Sequence, residues 1–85
     1  DDSNMPTTEL DESALTDGKI AVLDLLLACG LVPSKGEGRR LVQQGGIVVN
    51  DEKVGSIDAA FTADQLKAGL KIRKGKKVFH KAVLK

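Results

Sequence analysis

The spacing of apolar residues changes midway along this chain, at Gly45 and Gly46, and this change constrains the fold more than any other feature. Between residues 19 and 29 the apolar side chains recur every three or four positions, which is typical of one face of a helix. After the two glycines the period becomes two, because Ile47–Val49 is a β-branched run and residues 70–73 alternate apolar and basic side chains. The sequence therefore predicts an α+β fold, in which two packed helices are followed by a small, mostly antiparallel sheet.

Local signals set the ends of the predicted helices. The first helix should span residues 19–29, because Gly30 suits the left-handed backbone of a helix C-cap. The second should span residues 35 to about 44, since Ser34 and Glu37 have the spacing of a capping box and two glycines follow.

Turn and capping signals divide the second half of the chain. An Asn-Asp pair at residues 50–51 predicts a turn after the first strand. A second capping box opens a short helical turn over residues 62–67. A Lys-Gly pair at residues 74–75 leads into a final strand near residues 78–83, whose register is ambiguous because both of its faces contain apolar side chains.

Composition limits the core and the compartment. The 85 residues include no Trp, no Tyr and only two Phe, so Leu, Ile and Val must build the core. The single cysteine, Cys29, cannot form an intrachain disulfide, and a buried structural thiol is expected there. No apolar run approaches the roughly 20 residues of a membrane span, and the N-terminus lacks the layout of a secretory signal. We expect a cytoplasmic protein that does not bind membranes.

Charge is distributed unevenly along the chain. Residues 1–18 contain six acidic side chains and no Lys or Arg, whereas residues 19–85 sum to +7, although the whole chain carries only +1. Residues 67–85 contain eight basic side chains and no acidic one, and a segment of one sign attracts polyanions. Residues 1–16 are polar and unpatterned, so we expect a disordered acidic linker there and a folded domain over residues 17–85.

The second predicted helix has an apolar face and a basic face. At about 100° per residue, Leu41 and Val42 fall on the side that must face the core, which turns Arg39 and Arg40 outward. Guanidinium groups hold phosphate oxygens bidentately, and the N–H groups of a helix N-terminus bind anions. This face is therefore a candidate phosphate and base-edge reader, with an ordinary solvated helix face as the alternative. The outward half also contains Gln43 and Gln44, with Lys35 at its edge.

Two residues of this helix raise structural expectations. Gly38 lowers helix propensity by about 1 kcal/mol relative to alanine, so we expect another backbone to pack closely against it. Glu37 should pair with Arg40, three residues on, at an exposed site where such a pair contributes about 0–1 kcal/mol.

Two stretches of the chain resemble known families. Residues 34–50, Ser-Lys-Gly-Glu-Gly-Arg-Arg-Leu-Val-Gln-Gln-Gly-Gly-Ile-Val-Val-Asn, resemble the signature of the RNA-binding domain named after small-subunit ribosomal protein S-four, the alpha-L motif. That family has the same order of helix, loop, capped basic helix, paired glycines and β-hairpin. Residues 69–81 resemble the C-terminus of bacterial tyrosyl-tRNA synthetases. Together the two resemblances cover about residues 19–85.

The resemblance implies a domain that holds tRNA, and tyrosine tRNA in particular, around its anticodon stem and long variable arm. It implies a monomeric, non-catalytic fragment without a cofactor, since ATP and magnesium would belong to the separate catalytic domain of a homodimeric tyrosine–tRNA ligase. The start at Asp1, without Met, fits a piece of a longer protein. Alanine is usual in the family at the position of Gly38. The implied RNA contacts are Ser34, Lys35, Arg39, Arg40, Gln43 and Asn50, extended by Lys74, Lys76, Lys77 and Lys81.

Other functions stay open at this point. The same domain could belong to a ribosome-associated factor or a pseudouridine synthase, and would then prefer ribosomal RNA. A protein-interaction module is the rival from another class, because a sheet edge could pair with another chain and the acidic leader could fold over the basic face. Catalysis by the chain itself is not expected, since the sequence has no P-loop pattern, and RNA contact or packing explains the lone His80.

Overall fold

The computed structural model describes residues 5–85, which form a five-stranded sheet, a two-stranded sheet and three α-helices. A 3₁₀ turn at Glu12–Ala14 lies between the first two strands. The elements are β1 (Thr7–Leu10), β2 (Lys19–Ala21), α1 (Val22–Ala28), α2 (Lys35–Gln43), β3 (Ile47–Val49), β4 (Glu52–Lys53), β5 (Ala60–Thr62), α3 (Ala63–Ala68), β6 (Leu70–Lys74) and β7 (Val78–Leu84).

The large sheet has the strand order β1-β7-β6-β3-β4. Three of its four pairings are antiparallel, and only β1 runs parallel to its neighbour β7. Strands β2 and β5 form the separate antiparallel pair. This arrangement confirms the predicted α+β class and the mostly antiparallel sheet.

Aliphatic side chains from the helices and from one face of the large sheet build a single core. Leu25 and Leu26 of α1 and Leu66 of α3 are fully buried, as are Leu70 and Ile72 of β6. Burying a Leu or Ile side chain contributes about 1.5–3 kcal/mol, so these few residues hold the helices on the sheet. Among residues 5–85, no helix has the length and apolar character needed to cross a membrane.

The second helix and the turns that follow it lie where the sequence predicted them. Helix α2 begins after Ser34, whose hydroxyl accepts a hydrogen bond from the Glu37 backbone N–H at 3.3 Å. The second capping box is complete, since Thr62 and Gln65 exchange side-chain to backbone hydrogen bonds of 2.8 and 3.2 Å. Asn50 adopts a φ of 51° in the predicted turn between β3 and β4. Each signal involves residues close in sequence, so each could be recognised locally.

Gly38 packs against side chains of the first helix and its loop, and not against another backbone as predicted. A Cβ atom at this position would lie 3.2 Å from Leu23 Cδ2, 3.5 Å from Leu26 Cδ1 and 3.6 Å from Val32 Cγ2. The missing side chain therefore allows α1 and its loop to approach α2 closely. Leu23 would have to shift by a few tenths of an ångström to accept alanine here.

The first helix is shorter than predicted. It begins at Val22, because residues Lys19–Ala21 form β2 and pair with β5. A tight turn precedes β2, in which Asp17 and Gly18 have φ values of 54° and 77° and Thr16 pairs with Lys19. Ile20 is buried in the strand, and it would also have been buried in a helix. Its apolar side chain therefore does not distinguish a strand from a helix at this position.

Part of the predicted acidic linker contributes to the fold, since residues 7–14 contain strand β1 and the 3₁₀ turn. Strand β1 adds to the edge of β7, with Thr7 opposite Lys81 and Leu10 opposite Leu84. Leu10 is buried, and its carbonyl accepts a hydrogen bond from the Lys85 N–H. Backbone pairing with a strand more than 70 residues away compensates for the scarcity of apolar side chains. Residues 1–4 of the predicted linker lie outside the described part.

Candidate nucleic-acid interface

The solvent face of α2 presents the predicted polar side chains. Arg39 and Arg40 are exposed, whereas Val42 and Gly38 are buried on the opposite side. Leu41 is partly buried against the same core, and the guanidinium groups are turned to solvent. Gln43 and Gln44 are exposed beyond them along the same helix.

Two of the basic side chains on α2, Lys35 in the first turn and Arg40 in the last, form exposed ion pairs. Lys35 Nζ lies 3.0 Å from Asp24 Oδ1 of α1, and Arg40 Nη1 lies 3.6 Å from Glu37 Oε1, as predicted. Because Glu37 pairs with Arg40, only the Ser34 half of the predicted capping box forms. Exposed pairs contribute about 0–1 kcal/mol, so phosphate can replace either carboxylate at little cost in stability.

The C-terminal end of α2 is joined to the turn between β6 and β7. Gly45, with a φ of 75°, ends the helix, and the Gly46 N–H bonds back to the Leu41 carbonyl at 2.8 Å. The Gly46 carbonyl in turn accepts a hydrogen bond of 2.7 Å from the Gly75 N–H. The exposed Lys76 and Lys77 follow Gly75 directly, so the structure brings them beside the end of the helix.

Lys53 adds a cation that the sequence did not identify. It lies directly opposite Val48 across the β3–β4 pair. Its side chain covers Gly45, because a Cβ there would lie 3.2 Å from Lys53 Nζ. This position suits an ammonium group, since the C-terminal end of a helix carries partial negative charge. The Asn-Asp turn at residues 50–51 could have indicated this position, because a two-residue connection between β3 and β4 places Lys53 opposite Val48. We call Arg39, Arg40, Gln43, Gln44, Lys53, Lys76 and Lys77 the α2 surface.

Lys74 and Asn50, two of the predicted RNA contacts, have partners within the domain. Lys74 is half-buried, and its Nζ donates a hydrogen bond of 2.7 Å to the carbonyl of Leu31 in the α1–α2 loop. Asn50 Oδ1 accepts a hydrogen bond of 2.9 Å from the Lys71 N–H. Both residues hold the sheet to neighbouring segments, and their contact with RNA stays a prediction.

Lys81 lies apart from the α2 surface. It is four residues beyond Lys77 along β7, about 13 Å at the rise of a strand. It faces Lys71 on β6 and Thr7 on β1, and its Cε lies where a side chain at Gly69 would stand. The ten predicted residues therefore do not form one cluster, because Lys81 lies on the outer face of the large sheet, apart from the residues of α2 and of the β6–β7 turn.

Thr8 of β1 hydrogen-bonds His80 of β7. Thr8 Oγ1 lies 2.6 Å from His80 Nε2. Burial raises the pKa of the Cys29 thiol. Burial also lowers the pKa of His80. The predicted burial of Cys29 is confirmed, and a neutral His80 that packs against β1 fits the packing interpretation.

Sequence comparison with known proteins relates the chain to one family. Residues 2–82 match the family described as Tyrosine--tRNA ligase SYY-like C-terminal domain. The chain is 52% identical over 82 residues to tyrosine–tRNA ligase of Acetivibrio thermocellus, covering 95% of this chain and 20% of that protein. Tyrosine–tRNA ligases of Clostridium botulinum strain Loch Maree (44% over 82 residues, 95% of this chain and 19% of that protein) and Clostridium tetani (42% over 85 residues, 99% and 20%) are also similar.

The chain spans about a fifth of the length of these curated relatives. The match covers both segments from which the resemblance was inferred, residues 34–50 and residues 69–81, and it confirms that resemblance. The chain therefore belongs to the family of SYY-like C-terminal domains of tyrosine–tRNA ligase.

Proposed function

We propose that this domain binds tyrosine tRNA through the α2 surface and presents it to the catalytic domain of a tyrosine–tRNA ligase. The observation that carries the proposal is the hydrogen bond between Gly75 and Gly46, which places the turn lysines beside the C-terminal end of α2, the helix that carries the two exposed arginines. Lys53 covers Gly45 at the same end of α2, so cations from the β3–β4 hairpin and from the β6–β7 turn lie beside the helix that carries Arg39 and Arg40. A surface of this kind follows the phosphates of a folded RNA, since each cation that neutralises a phosphate releases a counterion.

In this proposal the domain supplies binding and positioning, and the chemistry takes place elsewhere in a longer homodimeric ligase. ATP and magnesium act in the catalytic domain of that ligase, in the cytoplasm. Asn50 and Lys74 keep the hairpins in place under the α2 surface, while Ser34 and Lys35 contact RNA at the helix N-terminus. The long variable arm is the feature of tyrosine tRNA that such an appended domain can recognise by shape.

The family assignment does not favour the alternative functions. The acidic leader, which was considered as a cover for the basic face, instead continues the large sheet as β1 at the edge opposite β4. It therefore also occupies the edge of β7 that a partner strand could have used. A ribosome-associated or RNA-modifying role would give tighter binding to ribosomal RNA than to tRNA.

An NMR titration tests the proposal residue by residue. The isotope-labelled chain is titrated at low salt with tyrosine tRNA, and with a tRNA of short variable arm as the control. We expect shifts for residues 34–50, Lys53 and residues 74–77, larger with tyrosine tRNA, while Lys19 and Lys67 stay unchanged. Equal shifts with both tRNAs would leave a general RNA-binding domain, and no shifts with either would overturn the proposal.

A further inference from the structure

The outer face of the large sheet, opposite the core, has a composition unlike that of an ordinary solvated surface. Phe79 is 39% exposed there. It lies directly across from Arg73, which in turn lies across from Val48 on β3. Residues directly opposite each other in a sheet point to the same face, so the aromatic ring and the guanidinium group are neighbours. One pair further along, Lys71 lies opposite Lys81.

These side chains surround a shallow depression of about 190 Å³, lined by Val48, Asp51, Lys71, Arg73 and Phe79. Among residues 5–85, Phe79 and Val78 are the large apolar side chains exposed to solvent, and Phe79 is the aromatic one. An exposed ring beside an arginine and two lysines is matched to a ligand that has both a flat apolar surface and negative charge. We call Val48, Lys71, Arg73, Phe79 and Lys81 the sheet platform.

We propose that the sheet platform stacks an unpaired nucleobase of the bound RNA on Phe79 while Arg73 and Lys81 hold the adjoining phosphates. This inference rests on the proposed function, and it adds a second contact region that reads single-stranded rather than helical RNA. Proteins that bind single strands combine aromatic stacking with a cationic path in this way. The carboxylate of Asp51 gives the depression an acceptor for the exocyclic amino group of a base.

The sheet platform is continuous with the α2 surface. Lys53 lies opposite Val48 at the margin of the platform and reaches over Gly45 at the end of α2. Strand spacings of about 4.8 Å place Phe79 roughly 14 Å from Lys53, three strands away. An RNA whose helical part lies on α2 can therefore direct an adjacent unpaired nucleotide onto the sheet.

Fluorescence offers a direct test, because the chain contains no Trp and no Tyr. In the F79W chain the introduced indole is the sole strong fluorophore, and we expect its emission to be quenched when a tyrosine tRNA transcript binds. An RNA duplex without unpaired nucleotides serves as the control and should bind with little quenching. An A60W chain, with the indole at an exposed position of β5 in the two-stranded sheet and outside both named surfaces, should respond weakly to both RNAs.

Affinity measurements complete the test. Base stacking on an aromatic ring predicts a loss of about 5- to 100-fold for F79A, with affinity within about twofold for F79Y. F79A should leave the salt dependence of binding unchanged, whereas R73A should reduce the slope by about one because it removes a phosphate contact. Circular dichroism checks that each variant is folded.

The outcomes separate this inference from the proposed function. Normal affinity of F79A, together with unquenched F79W fluorescence on binding, overturns the stacking site while leaving tRNA binding by the α2 surface intact. Loss of affinity in F79A also overturns it if the duplex quenches F79W fluorescence as strongly as the tRNA does. Contact with residue 79 would then not require an unpaired base. Failure of the wild-type chain to bind any RNA at low salt overturns both, and leaves the sheet platform as a surface for a protein.

Discussion

On α2, Arg39 and Arg40 point to solvent, and the Glu37–Arg40 contact is an exposed ion pair at 3.6 Å. On the β6–β7 hairpin, by contrast, the basic residues have different surroundings. Lys74 is half-buried and bonded to a carbonyl, while Lys76 in the turn is exposed. The comparison shows that charge density predicts attraction to RNA, but the partners within the fold decide which cations are available for it.

The largest effect on stability within this comparison is expected for Lys74. K74A removes a charge-assisted hydrogen bond to the Leu31 carbonyl, and it should lower the free energy of unfolding by about 1.5–3 kcal/mol. K76A removes the same charge from the exposed turn and should change stability by no more than about 0.5 kcal/mol. Urea denaturation of the two variants measures the difference. Equal stability of K74A and wild type would mean that the carbonyl contact does not support the fold.

His80 on β7 should make stability depend on pH, an effect smaller than that of K74A. Burial lowers its pKa below 6.5, so the unfolded chain binds a proton more readily than the folded one. The contribution of His80 is therefore fully present above about pH 6.5, and it is lost as the pH falls through that value towards the folded pKa.

Comparison with H80Q isolates this contribution. The difference in unfolding free energy between wild type and H80Q should decrease between about pH 8 and pH 5, measured by denaturation at each pH. A difference that does not vary with pH would show that His80 has the same pKa in both states. The α2 surface lies outside this contact, so RNA-binding variants such as R39A should keep the wild-type pH profile of stability.

The parts of the molecule that could be predicted are those whose signals lie close together in sequence. The outward position of Arg39 and Arg40 followed from the spacing of Leu41 and Val42, and the end of α2 followed from two glycines. The turn at Asn50 was predictable for the same reason, since Asn tolerates a positive φ better than most residues.

The parts that could not be predicted depend on partners far away in the chain. Lys74 bonds a carbonyl 43 residues earlier, and β1 pairs with a strand at the other end of the domain. Phe79 could not be assigned to a face, because both faces of β7 contain apolar residues and only the pairing with Arg73 fixes the register. No local pattern specifies these contacts.

The most direct test of the account is the tRNA affinity of R39A/R40A against that of K19A/K67A. Both double variants remove two exposed positive charges, but only the first removes them from the α2 surface. We predict a loss of at least about tenfold and a salt slope smaller by about two for R39A/R40A, with near wild-type binding for K19A/K67A. Equal losses in the two variants would show that net charge alone governs binding, which would contradict a defined RNA site on α2.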